Sequence, residues 1–348
     1  MDNKTLAIKY RPRNFDDVTE QQSVKTILMQ QLESKTVKNA YLFCGGAGTG
    51  KTTCARIFAN EINKGEGNPI EMDAASNSGV DDVRMIIQQA KTKSLDSEYK
   101  VFIIDECHSI SNTGWQAFLK LIEEPPAKSI FIFCTTDPQK IPKTILSRVQ
   151  RYDFQRISTP GIVKRLETIL SEENYTDYDI DSVRYIARIA DGGMRDAITM
   201  MDKCLAYSEK LTLENVIKAL GTTDYDTMLE LTNHIMYNNT AEAIECIERV
   251  HSSGKDLKQF IKQYINFLVG VLEFYLQVDE QYIDIPLTEN ITNWLVDNMN
   301  TIWRVEDKVT ELLEDMMKLY YNIKYSQSVR NDVNADILLF MRKRGDTE

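Results

Sequence analysis

One octapeptide, Gly45-Gly46-Ala47-Gly48-Thr49-Gly50-Lys51-Thr52, restricts the fold of this chain more than any other segment. It fits the pattern G-x-x-x-x-G-K-[ST], in which glycines let successive backbone N–H groups turn inward around a chain of phosphates. In that pattern the lysine, here Lys51, reaches the β and γ oxygens of a nucleoside triphosphate, and the hydroxyl of Thr52 ligands Mg2+. Such a loop works only between a strand and a helix. Its flanks agree, because 41–44 is a short apolar run and Ile57, Phe58 and Ile62 recur at helical spacing.

The surrounding pattern extends this requirement. Short apolar runs lie at 41–44, 70–72, 101–104 and 130–134, and helical periodicity occupies 21–34, 52–63, 80–91 and 113–123. Alternation of this kind predicts a parallel sheet with helices on both faces and ligands at the carboxyl ends of the strands. The strand signals stop near Phe154, and Ser158-Thr159-Pro160 supplies a cap residue with proline at the start of a helix. Helical patterns follow at 160–173, 179–190, 194–207 and 212–220, closed by Gly221-Thr222-Thr223-Asp224. Residues 225–343 are helical by period, most clearly 256–278, whose apolar positions form one stripe. At 348 residues the chain exceeds one ordinary core. The expected division is 1–156, a nucleotide-binding domain, then 157–222, a small helical unit, then 223–348, all helical.

Val101-Phe102-Ile103-Ile104-Asp105-Glu106 is an apolar run that ends in two carboxylates, 54 residues after Lys51. Asp105 is suited to hold Mg2+, directly or through water, and Glu106 to orient and deprotonate an attacking water. Asp105-Glu106-Cys107-His108 also fits the D-E-x-H element of helicases. A helicase needs a second motor-like core with an arginine-rich motif, whereas this chain turns all-helical after residue 156.

The net charge of −11 would argue against nucleic acid if it were spread evenly. Residues 1–156 hold 21 Lys/Arg against 19 Asp/Glu, and residues 157–348 hold 20 against 33, so the acid excess lies outside the nucleotide-binding part. A local basic surface that tracks a phosphate backbone is compatible with that distribution. Cysteines at 44, 54, 107, 134, 204 and 246 form no C-x-x-C pair, and histidines at 108, 234 and 251 are scattered. Reduced, buried thiols are expected, with neither a zinc site nor a redox dithiol. Residues 2–9 lack the apolar stretch of a signal peptide, and the longest apolar run, 265–276, is too short to span a bilayer. A cytoplasmic location with no membrane partner is expected.

Several segments, taken in order, resemble the clamp-loader branch of the AAA+ ATPases, and in wording the gamma/tau subunits of bacterial DNA polymerase III. They are Lys9-Tyr10-Arg11-Pro12 with Phe15-Asp16-Asp17-Val18, the phosphate loop, Asp73-Ala74-Ala75-Ser76-Asn77 and Asp105-Glu106-Cys107-His108. They continue with Leu119-Lys120-Leu121-Ile122-Glu123-Glu124-Pro125-Pro126, Thr135-Thr136-Asp137-Pro138-Gln139-Lys140-Ile141-Pro142, Leu146-Ser147-Arg148 and Gly193-Met194-Arg195-Asp196-Ala197. The resemblance covers residues 4 to about 200, and the C-terminal third matches only in length and helical character. It implies an α/β P-loop AAA+ ATPase domain, a small helical lid and an all-α collar that assembles a hetero- or homo-pentameric ring. Its implied activity is ATP-driven loading of a sliding clamp onto primer–template DNA, with other clamp-loader subunits as partners and Mg2+ as cofactor. No polymerase active site is implied.

The resemblance also assigns roles. Thr136, ahead of Thr135, is similar to the sensor that contacts the γ-phosphate or the attacking water. Arg148 is similar to an arginine finger supplied in trans to the neighbour's ATP, and Arg195 to a second sensor reaching from the lid in cis. Tyr10, Arg11, Pro12 and Val18 resemble the segment around adenine and ribose, while Gly45, Gly46, Ala47, Gly48, Thr49, Gly50, Lys51, Thr52 and Thr53 hold the phosphates. Arg84 and Lys120 match positions that face the DNA backbone, where sequence-independent point charges are needed. The collar role turns the 256–278 stripe into an expected subunit interface.

Departures from the family pattern carry expectations of their own. Asn63-Lys64-Gly65-Glu66-Gly67-Asn68-Pro69 stands where the family inserts four zinc-binding cysteines, so no zinc is expected. The usual Ser-Arg-Cys is Ser147-Arg148-Val149, which keeps the arginine. Glu20 stands where the family has glycine, and a residue with a Cβ resists positive φ there. A short, zinc-less form without the polymerase-tethering extension is expected, either a divergent version or one that a phage encodes for use in its bacterial host. Two alternatives stay open from the residues: another AAA+ DNA-remodelling ATPase, such as a branch-migration or fork-processing factor, and a non-hydrolysing scaffold subunit.

Overall fold

In a computed structural model the chain is described at residues 5–220, 225–278, 283, 285, 289–299 and 302–345, and it forms two compact units, Met1–Leu211 and Thr212–Glu348. The first unit opens with α1 (Leu6–Lys9), α2 (Gln22–Glu33), β1 (Ala40–Cys44) and α3 (Lys51–Ile62). It continues through β2 (Ile70–Asp73), α4 (Val80–Ala90), β3 (Lys100–Asp105), α5 (Asn112–Glu123) and β4 (Ser129–Thr135). Then come α6 (Lys143–Leu146), β5 (Gln150–Asp153), α7 (Thr159–Glu172), α8 (Ile180–Ile189) and α9 (Met194–Tyr207).

The five strands run parallel in the order β2-β3-β4-β1-β5. Side chains alternate across the strands, and the alternation sorts the core into two layers. Leu42, Phe102, Ile104, Phe131 and Phe133 pack on one face with Val83 and Ile86 of α4 and Trp115, Phe118 and Leu121 of α5. Tyr41, Phe43, Val101, Ile103, Ile130 and Ile132 pack on the other face with Val24 and Leu28 of α2 and Ile57, Phe58 and Ile62 of α3. Burial on both faces is why these runs are apolar throughout instead of alternating with polar residues. Strand β5 has the pattern Gln150-Arg151-Tyr152-Asp153 with Tyr152 alone buried, so it carries no apolar run and sits at the sheet edge beside β1.

Helices α7, α8 and α9 form the lid. Ser158 caps α7 by accepting the Gly161 N–H at 3.1 Å. Ile162, Leu166, Ile169, Val183, Ile186, Ala197 and Met201 fill the space between the three helices. The helix predicted at 212–220 belongs to the second unit, and the predicted boundary at 222 lies outside the described residues.

The second unit contains α10 (Leu213–Leu220), α11 (Tyr225–Met236), α12 (Thr240–Ser252), α13 (Leu257–Tyr275), α14 (Glu289–Met299), α15 (Ile302–Ile323) and α16 (Val329–Gly345). Asp256 starts α13 by accepting the N–H groups of Lys258 at 2.7 Å and Gln259 at 3.3 Å. Here the expectation of a subunit interface is corrected. Leu257, Phe260, Ile261, Tyr264, Phe267, Leu268 and Val271 are buried inside this unit's own core, with Leu231, Ile247, Leu312, Met316 and Ile337 from its other helices. Each such side chain contributes about 1.5–3 kcal/mol when fully buried, and α13 uses that stripe to hold its own unit together. No helix among the described residues is long and apolar enough to cross a membrane.

Candidate nucleotide site

The strand order brings the chemistry to one edge. Because β3, β4 and β1 are adjacent, the residues that end them lie side by side: Cys44 pairs with Thr135, and Ile104 with Phe133. The phosphate loop leaves β1, Glu106 follows β3 and Thr136 follows β4, all at the carboxyl edge.

The loop has the backbone that its glycines permit. Gly48 and Gly50 sit at φ +71° and +98°, a left-handed conformation that a side chain resists. Helix α3 starts at Lys51 with no side-chain cap and no acidic residue in its first turn, so its initial N–H groups are left for an anion. Lys51 is buried, and its Nζ donates to the carbonyl oxygens of Gly45 at 2.9 Å and Gly46 at 2.7 Å. Burial depresses the Lys51 ammonium below the ordinary lysine value, and the nearby Cys134, Glu106 and Asp105 counteract this.

Thr52 Oγ1 donates to Asp105 Oδ2 at 2.7 Å, and Asp105 Oδ1 accepts the Glu106 N–H at 3.0 Å. A hydroxyl and a carboxylate at the mouth of a phosphate loop are hard oxygen donors that suit Mg2+, which takes one or two protein ligands and fills its octahedron with phosphate and water. No group of three or more His, Cys, Asp or Glu side chains able to hold a metal occurs among the described residues. Glu106 has left-handed backbone, φ 44° and ψ 42°, and opens a 3-10 turn at Cys107–Ser109. Its Oε2 accepts the Thr136 hydroxyl at 2.9 Å and lies 3.2 Å from His108 Nδ1.

One cleft collects most of the predicted residues. Tyr10, Arg11, Pro12, Val18, Ala47, Gly48, Thr49, Gly50, Lys51, Thr52, Thr53, Asp105, Glu106 and Arg195 line it. Gly45 and Gly46 lie behind the lining, where their carbonyls hold Lys51, and Thr136 reaches the cleft through Glu106. Four residues lie elsewhere or were not foreseen in their present role. Arg148 is outside the lining, where its guanidinium pairs with Glu123 at 2.8 Å and donates to the Thr144 carbonyl at 2.9 Å. Arg84 is exposed on α4 and pairs with Asp81 at 2.9 Å, and Lys120 is exposed on α5. Arg165 of α7 lines the cleft and donates to the Tyr10 carbonyl at 3.1 Å, and nothing in the pattern of α7 marked it.

The lid meets the loop through the main chain, with the Met194 N–H donating to the Gly48 carbonyl at 3.1 Å. A Cβ on Gly48 would stand 2.7 Å from Gly193 Cα, so this approach also needs glycine. Tyr10 ties α1 to the lid by donating to Glu173 at 2.6 Å, and burial with that bond raises the Tyr10 pKa. Glu20, the departure from glycine, takes φ 55° and accepts the N–H and hydroxyl of Ser158 at the head of α7. The next residue, Gln21, is buried and clasps the Gln155 backbone in both directions, with its Nε2 at 2.7 Å from the carbonyl and its Oε1 at 3.1 Å from the N–H.

Comparison with known proteins gives a consistent result. Residues 68–158 match the family described as DNA polymerase III, delta subunit, and residues 161–210 match the DNA polymerase III clamp loader subunit, ATPase lid domain. The chain is 36% identical over 316 residues to DNA polymerase III subunit tau of Bacillus subtilis, covering 81% of this chain and 56% of that protein. It is 32% identical over 290 residues to subunit tau of Escherichia coli, covering 77% and 45%. The chain thus spans about half the length of these relatives. Among solved structures, the Thermotoga maritima RuvB Holliday junction branch migration motor matches with a TM-score of 0.51 and 19% identity, covering 71% of this chain and 86% of that one. That likeness is one of fold alone.

Proposed function

The chain belongs with the gamma/tau-like clamp-loader proteins of the AAA+ family, and from that premise we propose that it is an ATPase subunit that opens a ring-shaped sliding clamp and loads it onto primer–template DNA. The observation that carries the reading is the convergence of the phosphate loop, Asp105, Glu106 and the lid residue Arg195 on one cleft, with Arg148 outside it. In this reading Tyr10, Arg11, Pro12 and Val18 hold adenine and ribose, and the loop amides with Lys51 hold the triphosphate. Thr52 and Asp105 would hold Mg2+, which when bound neutralises phosphate charge. Glu106 takes the proton of the attacking water, oriented with the help of Thr136, while Arg195 senses the nucleotide from the lid.

Arg148 would act on the ATP of a neighbouring subunit, so turnover requires the ring. A finger of this kind contributes about 10³–10⁵ in rate. Arg84 and Lys120 would contact the DNA backbone, and residues 223–348 would form the collar of a pentamer with other clamp-loader subunits. The test is ATP turnover by the assembled complex with and without clamp and primed DNA. Stimulation by the two together is expected. Turnover indifferent to the clamp would overturn the reading in favour of another DNA-remodelling ATPase, and clamp loading unaffected by Lys51→Ala would favour a scaffold subunit.

A further inference from the structure

The chain enters the first unit along the lid and only then reaches the sheet. Among the described residues, the hydrogen bonds that join segment 5–12 to other elements all involve the lid. The Leu6 N–H donates to Asp202 Oδ2 of α9 at 3.1 Å, and α1 packs on α9. Lys9 Nζ and the Tyr10 hydroxyl both donate to Glu173 Oε1, the hydroxyl at 2.6 Å. Arg165 of α7 donates to the Tyr10 carbonyl at 3.1 Å. A few residues later the same chain is anchored under the sheet, where Phe15 and Val18 are buried in the core layer of α2 and α3.

Arg11 and Pro12 thus span from lid to core, and they line the cleft beside Tyr10 and Val18. What such a span presents to a ligand depends on how firmly its lid end is held. Tyr10 is that end, and α7 grips it twice. Arg165 holds its main chain, and Glu173, the residue that closes α7 about two turns further on, holds its side chain. The Glu173 side chain is only 21% exposed. Lys9, and after it Tyr10, hold its carboxyl below the ordinary value, so the bond to the tyrosine is a charge-assisted one. Glu173 is not among the residues that line the cleft. Its influence on a bound nucleotide would pass through the segment that it grips.

We propose that Glu173 is a positioning residue for the adenosine half of ATP: it fixes Tyr10 to the lid and so orders the 10–12 span before the nucleotide arrives. The proposal rests on the reading that this span and Val18 hold adenine and ribose, apart from the phosphate loop. A span that must be ordered on binding gives up part of its affinity. Releasing its lid end should weaken ATP roughly tenfold, the effect of one hydrogen bond to a charged acceptor at its lower limit. Inorganic tripolyphosphate engages the loop alone, so its affinity should not change.

The experiment measures binding of ATP and of inorganic tripolyphosphate, each with Mg2+, to the full chain by titration calorimetry. Wild type is compared with Glu173→Ala and Glu173→Gln. The amide oxygen of glutamine still accepts the Tyr10 hydroxyl, whereas alanine leaves it unmet. The expected result is a roughly tenfold weaker ATP affinity in Glu173→Ala, with tripolyphosphate unaffected. Glu173→Gln should recover most of the loss. Wild-type ATP affinity in Glu173→Ala, an equal loss for both ligands, or equal losses in the two variants would each overturn the proposal. If Glu173→Ala fails to fold, Tyr10→Phe deletes the same bond from its other end. It should then show the same loss for ATP, and wild-type affinity there would overturn the proposal. Wild type that binds ATP no more tightly than tripolyphosphate would overturn the reading of the adenosine span itself, a result distinct from adenosine-dependent binding with indifferent variants.

Discussion

The Glu20 position separates backbone strain from hydrogen bonding in one variant series. The residue holds φ 55° and its carboxylate accepts the Ser158 N–H and hydroxyl. The left-handed conformation costs a residue with a Cβ about 1 kcal/mol or slightly more, and glycine is exempt. The two bonds to Ser158 are solvent-exposed, so together they contribute about 1–2 kcal/mol, the lower part of the usual range. Glu20→Ala keeps the strain and loses the bonds, so it should be less stable than wild type by about 1–2 kcal/mol. Glu20→Gly loses the same bonds and relieves the strain, which places it above the alanine variant by about 1 kcal/mol. In a unit of this size, 1 kcal/mol moves Tm by about 2–4 °C, within reach of calorimetry or denaturant titration. Ser158 still caps α7 in every variant through the Gly161 N–H, so the differences are not those of a lost helix cap. Equal stability of the Ala and Gly variants would refute the strain, and wild-type stability in Glu20→Ala would refute the contribution of the bonds.

Three further outcomes are expected. Arg148→Ala should lower ATP turnover of the assembled complex by about 10³-fold or more while leaving ATP binding nearly intact; equal loss of binding in a filter or fluorescence assay would refute action in trans. Leu268→Ala, in the buried stripe of α13, should destabilise the protein by about 2–5 kcal/mol at every protein concentration; a loss that appears only on dilution would return the stripe to an interface. All six cysteines are buried, and burial raises the thiol pKa to about 11 in Cys44 and Cys204, to about 12 in Cys54 and well above the ordinary value in Cys107 and Cys134. Because the thiolate is the reactive form, native protein at pH 8 should resist alkylation and react at all six only when unfolded; rapid modification of any one, read by mass spectrometry, would refute this.

The sheet and its phosphate edge were legible because buried parallel strands write themselves as apolar runs, and because the loop needs glycine where φ is positive. Strand β5 was not legible, since an edge strand with one buried residue has no periodicity to read. The stripe of α13 was legible as apolar, but an apolar face does not state whether its partner lies in the same chain. Glu20 could be flagged as a conflict with positive φ, yet its compensation sits 138 residues away at Ser158 and has no local signature. Arg148 stands out in the sequence only through the family resemblance, and its pairing with Glu123 at the end of α5, three residues after Lys120, depends on how α5 packs beside α6. His108 reads only as a letter in a helicase-like string, because the tight turn that brings its ring to Thr135 is a property of backbone conformation.

The bond between lid and phosphate loop has main-chain atoms at both ends, the Met194 N–H and the Gly48 carbonyl. At position 194 an alanine scan would pass over it in silence, since truncating that side chain leaves the N–H in place. Only an imino acid at position 194 deletes the donor. This bond is accordingly indifferent to the side chain at 194 so long as proline is avoided, while position 48 is held to glycine by the 2.7 Å approach of Gly193. The contact itself thus constrains the residue type tightly at one end and hardly at the other, although the two are halves of one joint.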